Sequence, residues 1–530
     1  MPDNATAHTA RLSTSGRRWL TAILFLGLAV RLAAAYVQPA FLDEAFVYYV
    51  TKAGPAQAIQ QLRLDVHPPT FNILMYPLAS ATHSIFILRL PELLLSIITL
   101  ALTFFLARRF FSEPLSLALT AFTACSANLV ITDAQLRTYG PLTLCLMLLW
   151  IGMLDIGRRG SPFAEWRLKP ALRWGLWALA GLMGACLHIL GAIALGACAV
   201  SALALPQQKQ RTIGLLIAEA LPVSIWFVYN RLTVELPLEA RPEASVKNNL
   251  EALLVSPLDI ANWDVREWYL LIQDPLARSL ALQILSICAL VLALLLWALF
   301  VRGWIKMRQE QPYEANLLGI NAICAPVLIC LAACFGLVGY TQSRYAVPFS
   351  VPFLLLVLQG VNLTSQKQIL TALILPTLAI SLAFPFCPML WNQNWQGTLG
   401  YIERIKRPND IILTNGLSES GYALAMAYDI DNIEFRFFDN FKALLIQRPT
   451  PGKLPLAILT PDMLDTSLLN DLKGYRIILV MSQMKAIPGN ADIIKWLSQY
   501  YALTDEFHQP SLKNWAEVDV YVWERKSAAR

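Results

Sequence analysis

Two adjacent carboxylates, Asp43 and Glu44, follow the first long apolar segment of the chain, in the run FLDEAFVYY. Acids at a membrane edge are costly to hold in apolar surroundings and mark functional positions by default; the bland reading is a solvated helix end. One such carboxylate can act as a general base on a substrate hydroxyl. Further on comes Asp65-Val66-His67-Pro68-Pro69. The prolines impose an extended or turn geometry on the residues before them. In an extended stretch Asp65 and His67 point to the same side, where they could hold a divalent cation or a phosphate. Arginines open two later apolar segments, in Arg137-Thr138-Tyr139 and in Arg344-Tyr345. A guanidinium there can grip two phosphate oxygens with its planar fork, or merely snorkel to lipid headgroups. His188 ends another apolar segment and reads as a structural histidine more readily than as a ligand. With Asp65 and His67 it completes the set of side chains that could hold a metal ion.

The composition says what kind of element must position these groups. Of 530 residues 56% are apolar and only 15% charged, with a mean hydropathy of +0.50. Soluble domains carry about 25% charged residues, so a wholly soluble protein is excluded, and so is intrinsic disorder. A helix needs ~20 mostly apolar residues to cross a bilayer. Candidate spans fall at about 19–37, 84–105, 115–131, 139–156, 174–190, 191–205, 212–228, 279–300, 317–338, 345–361 and 369–387, eleven in all, with Gly191 as the turn between the fifth and sixth. Lysine and arginine concentrate in alternate loops, among them Arg108-Arg109, Arg158-Arg159 and the segment 302–308. By the positive-inside rule these loops and the N-terminus are cytoplasmic, and the C-terminus lies outside. No small-residue cleavage site follows the first span, which therefore reads as an uncleaved anchor. The nine cysteines all sit in or beside spans, as apolar filler rather than as disulfides or metal ligands. Two outer loops, about 38–83 and 232–278, are longer than connectors need to be and carry amphipathic stretches, which points to function.

Beyond about residue 390 the chain becomes mixed and near neutral. Short apolar runs at 410–414, 433–438, 456–460, 476–480 and 518–523 alternate with helical patterns near 395–406, 418–428 and 493–501. This order predicts a small α/β domain over 391–530, following a transmembrane module over 1–390. No glycine-rich phosphate loop opens its helices. No basic stripe with interleaved aromatics appears, so nucleic acid is not expected as a partner.

In this order the motifs resemble the GT-C superfamily of membrane glycosyltransferases, and within it the bacterial relatives of protein O-mannosyltransferases and lipid A aminoarabinose transferases. The resemblance rests on Asp43-Glu44 after the first span and on Asp65-x-His67-Pro68-Pro69 before the second. It continues with Arg137-x-Tyr139 opening the fourth span and Arg344-Tyr345 opening a late one, and covers roughly the first 360 residues. It implies a polytopic helical fold of the GT-C type and a sugar donor carried on a polyprenyl phosphate. It implies use of that donor on the outer face of a bacterial inner membrane, with a hydroxyl of lipid A, a surface glycan or a protein as acceptor. Asp43, with Glu44 beside it, would deprotonate that hydroxyl. Asp65, His67, Arg137, Tyr139, Arg344 and Tyr345 would handle the donor phosphate, with or without a divalent metal ion. One position departs from the pattern: relatives often carry an acid two residues before the loop arginine, where this chain has Gln135, with Asp133 two further back. Physical logic supports the same chemistry. An outer-face transferase lacks nucleotide sugars, and polyprenyl phosphate leaves readily only when its developing charge is neutralised. The alternative is a lipid-linked sugar flippase, which would show ionisable groups around a midplane cavity and inverted repeats; no clear repeat is present in the sequence.

Overall fold

The computed structural model describes residues 12–38, 40, 42–64, 67–164, 166–205, 207–233, 275–334, 348–361, 395–415, 456–459, 466–482, 490–509 and 518–526, with isolated positions between. The chain divides into two compact units. The first holds most of the apolar helices. The second comprises 36–53, 267–278 and 384–530.

In the first unit, α1 (Thr14–Val37) is followed, after α2 (Leu42–Lys52) of the second unit, by α3 (Pro55–Gln61) and α4 (Thr70–Ala81). Next come α5 (Ile85–Ala107), α6 (Glu113–Cys125), α7 (Ala127–Asp133), α8 (Tyr139–Arg159), α9 (Pro170–Leu187), α10 (Ile189–Ala202) and α11 (Lys209–Thr233). The unit continues with α12 (Pro275–Glu310), α13 (Pro312–Cys334) and α14 (Ser350–Gly360). Local sequence sets many of the ends. Pro55 and Pro170 take the first helical position of α3 and α9, where a missing N–H costs nothing. Ser84 caps α5 by accepting from the Ile87 N–H, and Gly160 stops α8 in the left-handed conformation, at φ 69°.

Among the described residues, five helices are long and apolar enough to cross a membrane: α1, α5, α8, α11 and α12. The α6–α7 pair makes a sixth if taken as one span bent by 59° at Ser126. The core forms around α8, whose apolar stretch is 72% buried against 22% for α12. Trp150, Met153 and Leu154 of α8 are fully enclosed by α5, α9, α10 and α13. A helix apolar all round belongs inside a bundle, and α8 is that helix. At its C-terminal end Arg109 pairs with Asp155, and Arg158 with Glu314.

The expected turn between the fifth and sixth spans at Gly191 is corrected: the chain breaks at His188, which is extended at φ −160° and ψ 148°. Its Nδ1 accepts from the Leu190 N–H and so caps α10 itself. Gly191 serves another purpose. A Cβ there would collide with the Gly184 carbonyl, so its lack of a side chain lets α9 and α10 pass closely.

The second unit contains a five-stranded sheet of order β2-β1-β3-β5-β4, built from β1 (Asp410–Asn415), β2 (Leu456–Leu459), β3 (Arg476–Ser482), β4 (Tyr501–Gln509) and β5 (Val518–Arg525). β1 runs parallel to β2 and β3, while β5 is antiparallel to β3 and β4. The helices α15 (Trp395–Ile405), α16 (Thr466–Asp471) and α17 (Asn490–Tyr500) accompany it. Ile411, Leu413, Ile477 and Leu479 pack beneath Leu468, Ile493 and Leu497. Arg476 ties β3 to the start of β1 through both oxygens of Asp410, at 2.8 and 2.6 Å. Four of the expected runs lie in β1, β2, β3 and β5; the runs at 418–428 and 433–438 lie outside the described residues. β4 was not expected. It is the sheet edge, and its YALTDEFHQ keeps most of its side chains in solvent, so it lacks the apolar alternation that marks a half-buried strand.

Candidate active site

Three breaks between helices of the first unit converge on one cluster. His67 stands just before Pro68-Pro69 and the start of α4. Arg137 lies in the turn between α7 and α8, where its N–H donates to the Gln135 carbonyl in a tight three-residue turn. Tyr139 is the first residue of α8, and His188 is the break between α9 and α10. The imidazoles of His67 and His188 meet edge to face at 4.5 Å. The Tyr139 ring lies 5.5 Å from His188 and 6.5 Å from His67. The Arg137 guanidinium sits 5.9 Å from the Tyr139 ring centre, where a cation is favoured. Arg137, Tyr139 and His188 are buried.

Around Arg137 the polar accounting is incomplete. Gln135 Nε2, Thr138 Oγ1 and Tyr139 Oη are buried and have no hydrogen-bond partner among the described residues. Buried polar atoms are nearly always satisfied, by protein, water or ligand. All three can donate, and all three belong to residues 135–139, the turn that carries the buried Arg137.

This turn is held by a clamp that sequence reasoning did not assign. Arg31 of α1 reaches Asp133, the last residue of α7, through Nε and Nη2, both at 2.9 Å. Its Nη1 donates to the carbonyls of Ala124 at 2.8 Å and Gly27 at 3.2 Å. Ala124 lies at the end of α6, where the bend leaves carbonyls without helical partners. One guanidinium therefore fastens both arms of the α6–α7 break, its Asp133 contact four residues before Arg137. Asp133 is thus engaged with Arg31. Glu92 of α5 lies buried beside Gly140: a Cβ on that glycine would collide with its carboxyl group, and its Oε2 has no partner among the described residues. Arg31 and Asp133 stand 102 positions apart, and no local pattern connects them.

Asp43 and Glu44 form the first turn of α2, in the second unit; Glu44 is fully buried and Asp43 half-buried. Both engage other groups of the protein. A carboxylate in the first helical turn is favoured by the helix dipole. Asp65, Arg344 and Tyr345 lie outside the described residues.

No group of three or more His, Cys, Asp or Glu side chains gathers in metal-holding geometry among the described residues. His188 itself fits that role poorly. Because its Nδ1 accepts from Leu190, the neutral ring carries its proton on Nε2, which makes that nitrogen a donor rather than a metal ligand. His67 and His188 together suit hydrogen bonding to an oxyanion better than coordination.

No family model and no curated protein matches the sequence. Solved structures do. ArnT from Cupriavidus metallidurans in the apo state superposes with a TM-score of 0.52 at 12% identity, over 96% of this chain and 98% of that one. The same protein bound to undecaprenyl phosphate gives 0.52 at 13% identity, over the same shares. The oligosaccharyltransferase AglB from Archaeoglobus fulgidus, in complex with an inhibitory peptide and a dolichol-phosphate, gives 0.46 at 10% identity, over 97% of this chain and 75% of that one. The chain thus resembles the GT-C membrane proteins in fold, as its motifs implied. It has the fold of ArnT over almost its whole length.

Proposed function

We propose that this chain is a membrane glycosyltransferase that moves a sugar from a polyprenyl-phosphate donor to an acceptor hydroxyl on the outer face of a bacterial inner membrane. The observation that carries the reading is the buried Arg137 turn, where Gln135, Thr138 and Tyr139 present unsatisfied polar atoms beside the His67–His188 pair. The fold supports it, since ArnT, matched from end to end, binds undecaprenyl phosphate. Arg137 and Arg344 neutralise the donor phosphate as charge develops on it. His67, Tyr139 and Tyr345 hold its oxygens, with Asp65 alongside and a divalent ion an optional aid. Asp43 takes the proton of the acceptor hydroxyl, and Glu44 supports it. The acceptor oxygen then bonds to the anomeric carbon as the bond from that carbon to the phosphate oxygen breaks. Polyprenyl phosphate leaves with the electron pair, and the anomeric centre inverts. The acceptor is lipid A, a surface glycan or a protein. In this reading eleven spans over 1–390 carry the site, the N-terminus is cytoplasmic, and 391–530 form an external domain that handles the acceptor.

The test is Asp43→Asn in purified protein supplied with a polyprenyl-phosphate sugar and candidate acceptors. Transfer should be lost while folding and donor binding persist. Normal turnover in that variant would remove Asp43 from the mechanism. Release of free polyprenyl phosphate that depends on acceptor marks a transferase; movement of intact donor across the bilayer would mark a flippase instead.

A further inference from the structure

The helix α12 is 36 residues long, about 54 Å at the α-helical rise, against ~30 Å of hydrocarbon. Residues 279–301 carry no charge, and Arg302, Lys306 and Arg308 follow. The helix therefore leaves the hydrocarbon at its C-terminal end. A cleft of about 660 Å³ lies along that exit.

It is open, and every described residue lining it lies on one face of α12, in two parallel rows at helical spacing. Trp297, Val301 and Ile305 form an apolar row, with Val301 and Ile305 exposed. Arg302 and Lys306 form a basic row beside it, and the small Ala298 continues that row on the membrane side. The Trp297 indole N–H is taken by the Leu254 carbonyl at 3.0 Å, so only its ring faces the cleft. Along the axis Trp297 and Val301 lie toward the membrane centre and Arg302 and Lys306 toward the helix end, with Ile305 between the two basic residues. That is the layout of one acyl chain and its phosphate. Arg302 already engages the protein, but a guanidinium has five N–H donors and can serve a second acceptor.

We propose that this cleft binds an anionic glycerophospholipid, its phosphate between Arg302 and Lys306 and an acyl chain along Trp297 and Val301. The occupant is a lipid because α12 is a membrane-crossing helix by length and composition, and an anionic one because the headgroup end of the cleft is positively charged. The site is independent of the transfer chemistry proposed above.

Native mass spectrometry of the full chain in detergent, with phosphatidylglycerol or phosphatidylcholine added at equal concentration, tests it. The wild type should hold one phosphatidylglycerol more tightly than phosphatidylcholine, by on the order of tenfold for two basic side chains. Arg302→Gln with Lys306→Gln should abolish that preference, while Arg308→Gln, outside the cleft, should keep it. Ala298→Trp fills the cleft without touching charge and should also lose the lipid, which keeps the test decisive should the double variant fail to fold. Equal binding of the two lipids, an unchanged preference in the cleft variants, or the same loss in Arg308→Gln would overturn the proposal. Displacement of phosphatidylglycerol by equimolar undecaprenyl phosphate would overturn it in favour of a prenyl occupant.

Discussion

Arg137 and its neighbours were legible as residue types: an arginine opening an apolar segment, a tyrosine two later, a histidine before two prolines. Their meeting with His188 was not, since it depends on three helix breaks far apart in the chain. For the proposed transfer, replacing Arg137 with alanine should lower kcat/KM for the donor by about 100- to 1,000-fold, the usual scale for removing one charge-stabilising group. Lysine should restore part of the loss as a point charge without the fork. The Arg31–Asp133 pair calls for a different measurement. Truncating either partner to alanine leaves a buried charge uncompensated and should destabilise the protein by about 3–5 kcal/mol. Replacing both with leucine should recover much of that. Reversible unfolding of the single and double variants checks the pattern; a loss in the double variant equal to the sum of the two single losses would mean that the residues do not act as a pair.

At the scale of elements, apolar length in the sequence located α1, α5, α8, α11 and α12 and missed where the α6–α7 pair bends. Expectation put one span at 115–131; the chain instead makes α6 and α7 with a break at Ser126, fastened by Arg31. It put a turn at Gly191, whereas His188 supplies it by capping α10 through its own ring. A capping histidine has no signature that sets it apart from a ligand until the backbone N–H it serves is in place. Glycines give the clearest test of how helices pack. A Cβ on Gly303 of α12 would strike the Leu356 carbonyl, and one on Gly360 of α14 the Leu299 carbonyl. Those obstacles are backbone and cannot rotate aside. Gly303→Ala or Gly360→Ala should therefore cost about 1–3 kcal/mol by overpacking, while Gly175→Ala, with open space around it, should change stability little. Thermal unfolding of the three variants side by side decides this.

Across the whole molecule, apolar helices carry the candidate site and the mixed sheet belongs to the second unit. The sheet has its own pH dependence. His508 on β4 lies 2.9 Å from Asp519 on β5 and 3.7 Å from Glu506. The hydrogen bond to Asp519 raises its pKa above the usual 6.5, with both carboxylates adding to the effect. A histidine whose folded-state pKa is raised contributes fully below its unfolded pKa and loses that contribution as pH rises through the folded value. Amide exchange of β4 and β5, corrected for intrinsic rates, should be slower at about pH 6 than at about pH 9. His508→Gln should remove the difference. Tyr401, pushed up to about 12 chiefly by burial, stays neutral over that range and does not contribute.

The sequence by itself determined that the chain lives in a membrane, because hydrocarbon admits long apolar helices and little else. It also determined which residue types could do chemistry, because acids and arginines beside such segments are functional candidates by default. Only the tertiary structure decided which of them meet. His67, Arg137, Tyr139 and His188 come together because three separate chain breaks face one another, and Asp133 is turned to Arg31 because a bent helix leaves carbonyls that a buried guanidinium can satisfy. Periodicity reports which side of one helix is apolar; it carries no information on which helices touch, or at what height.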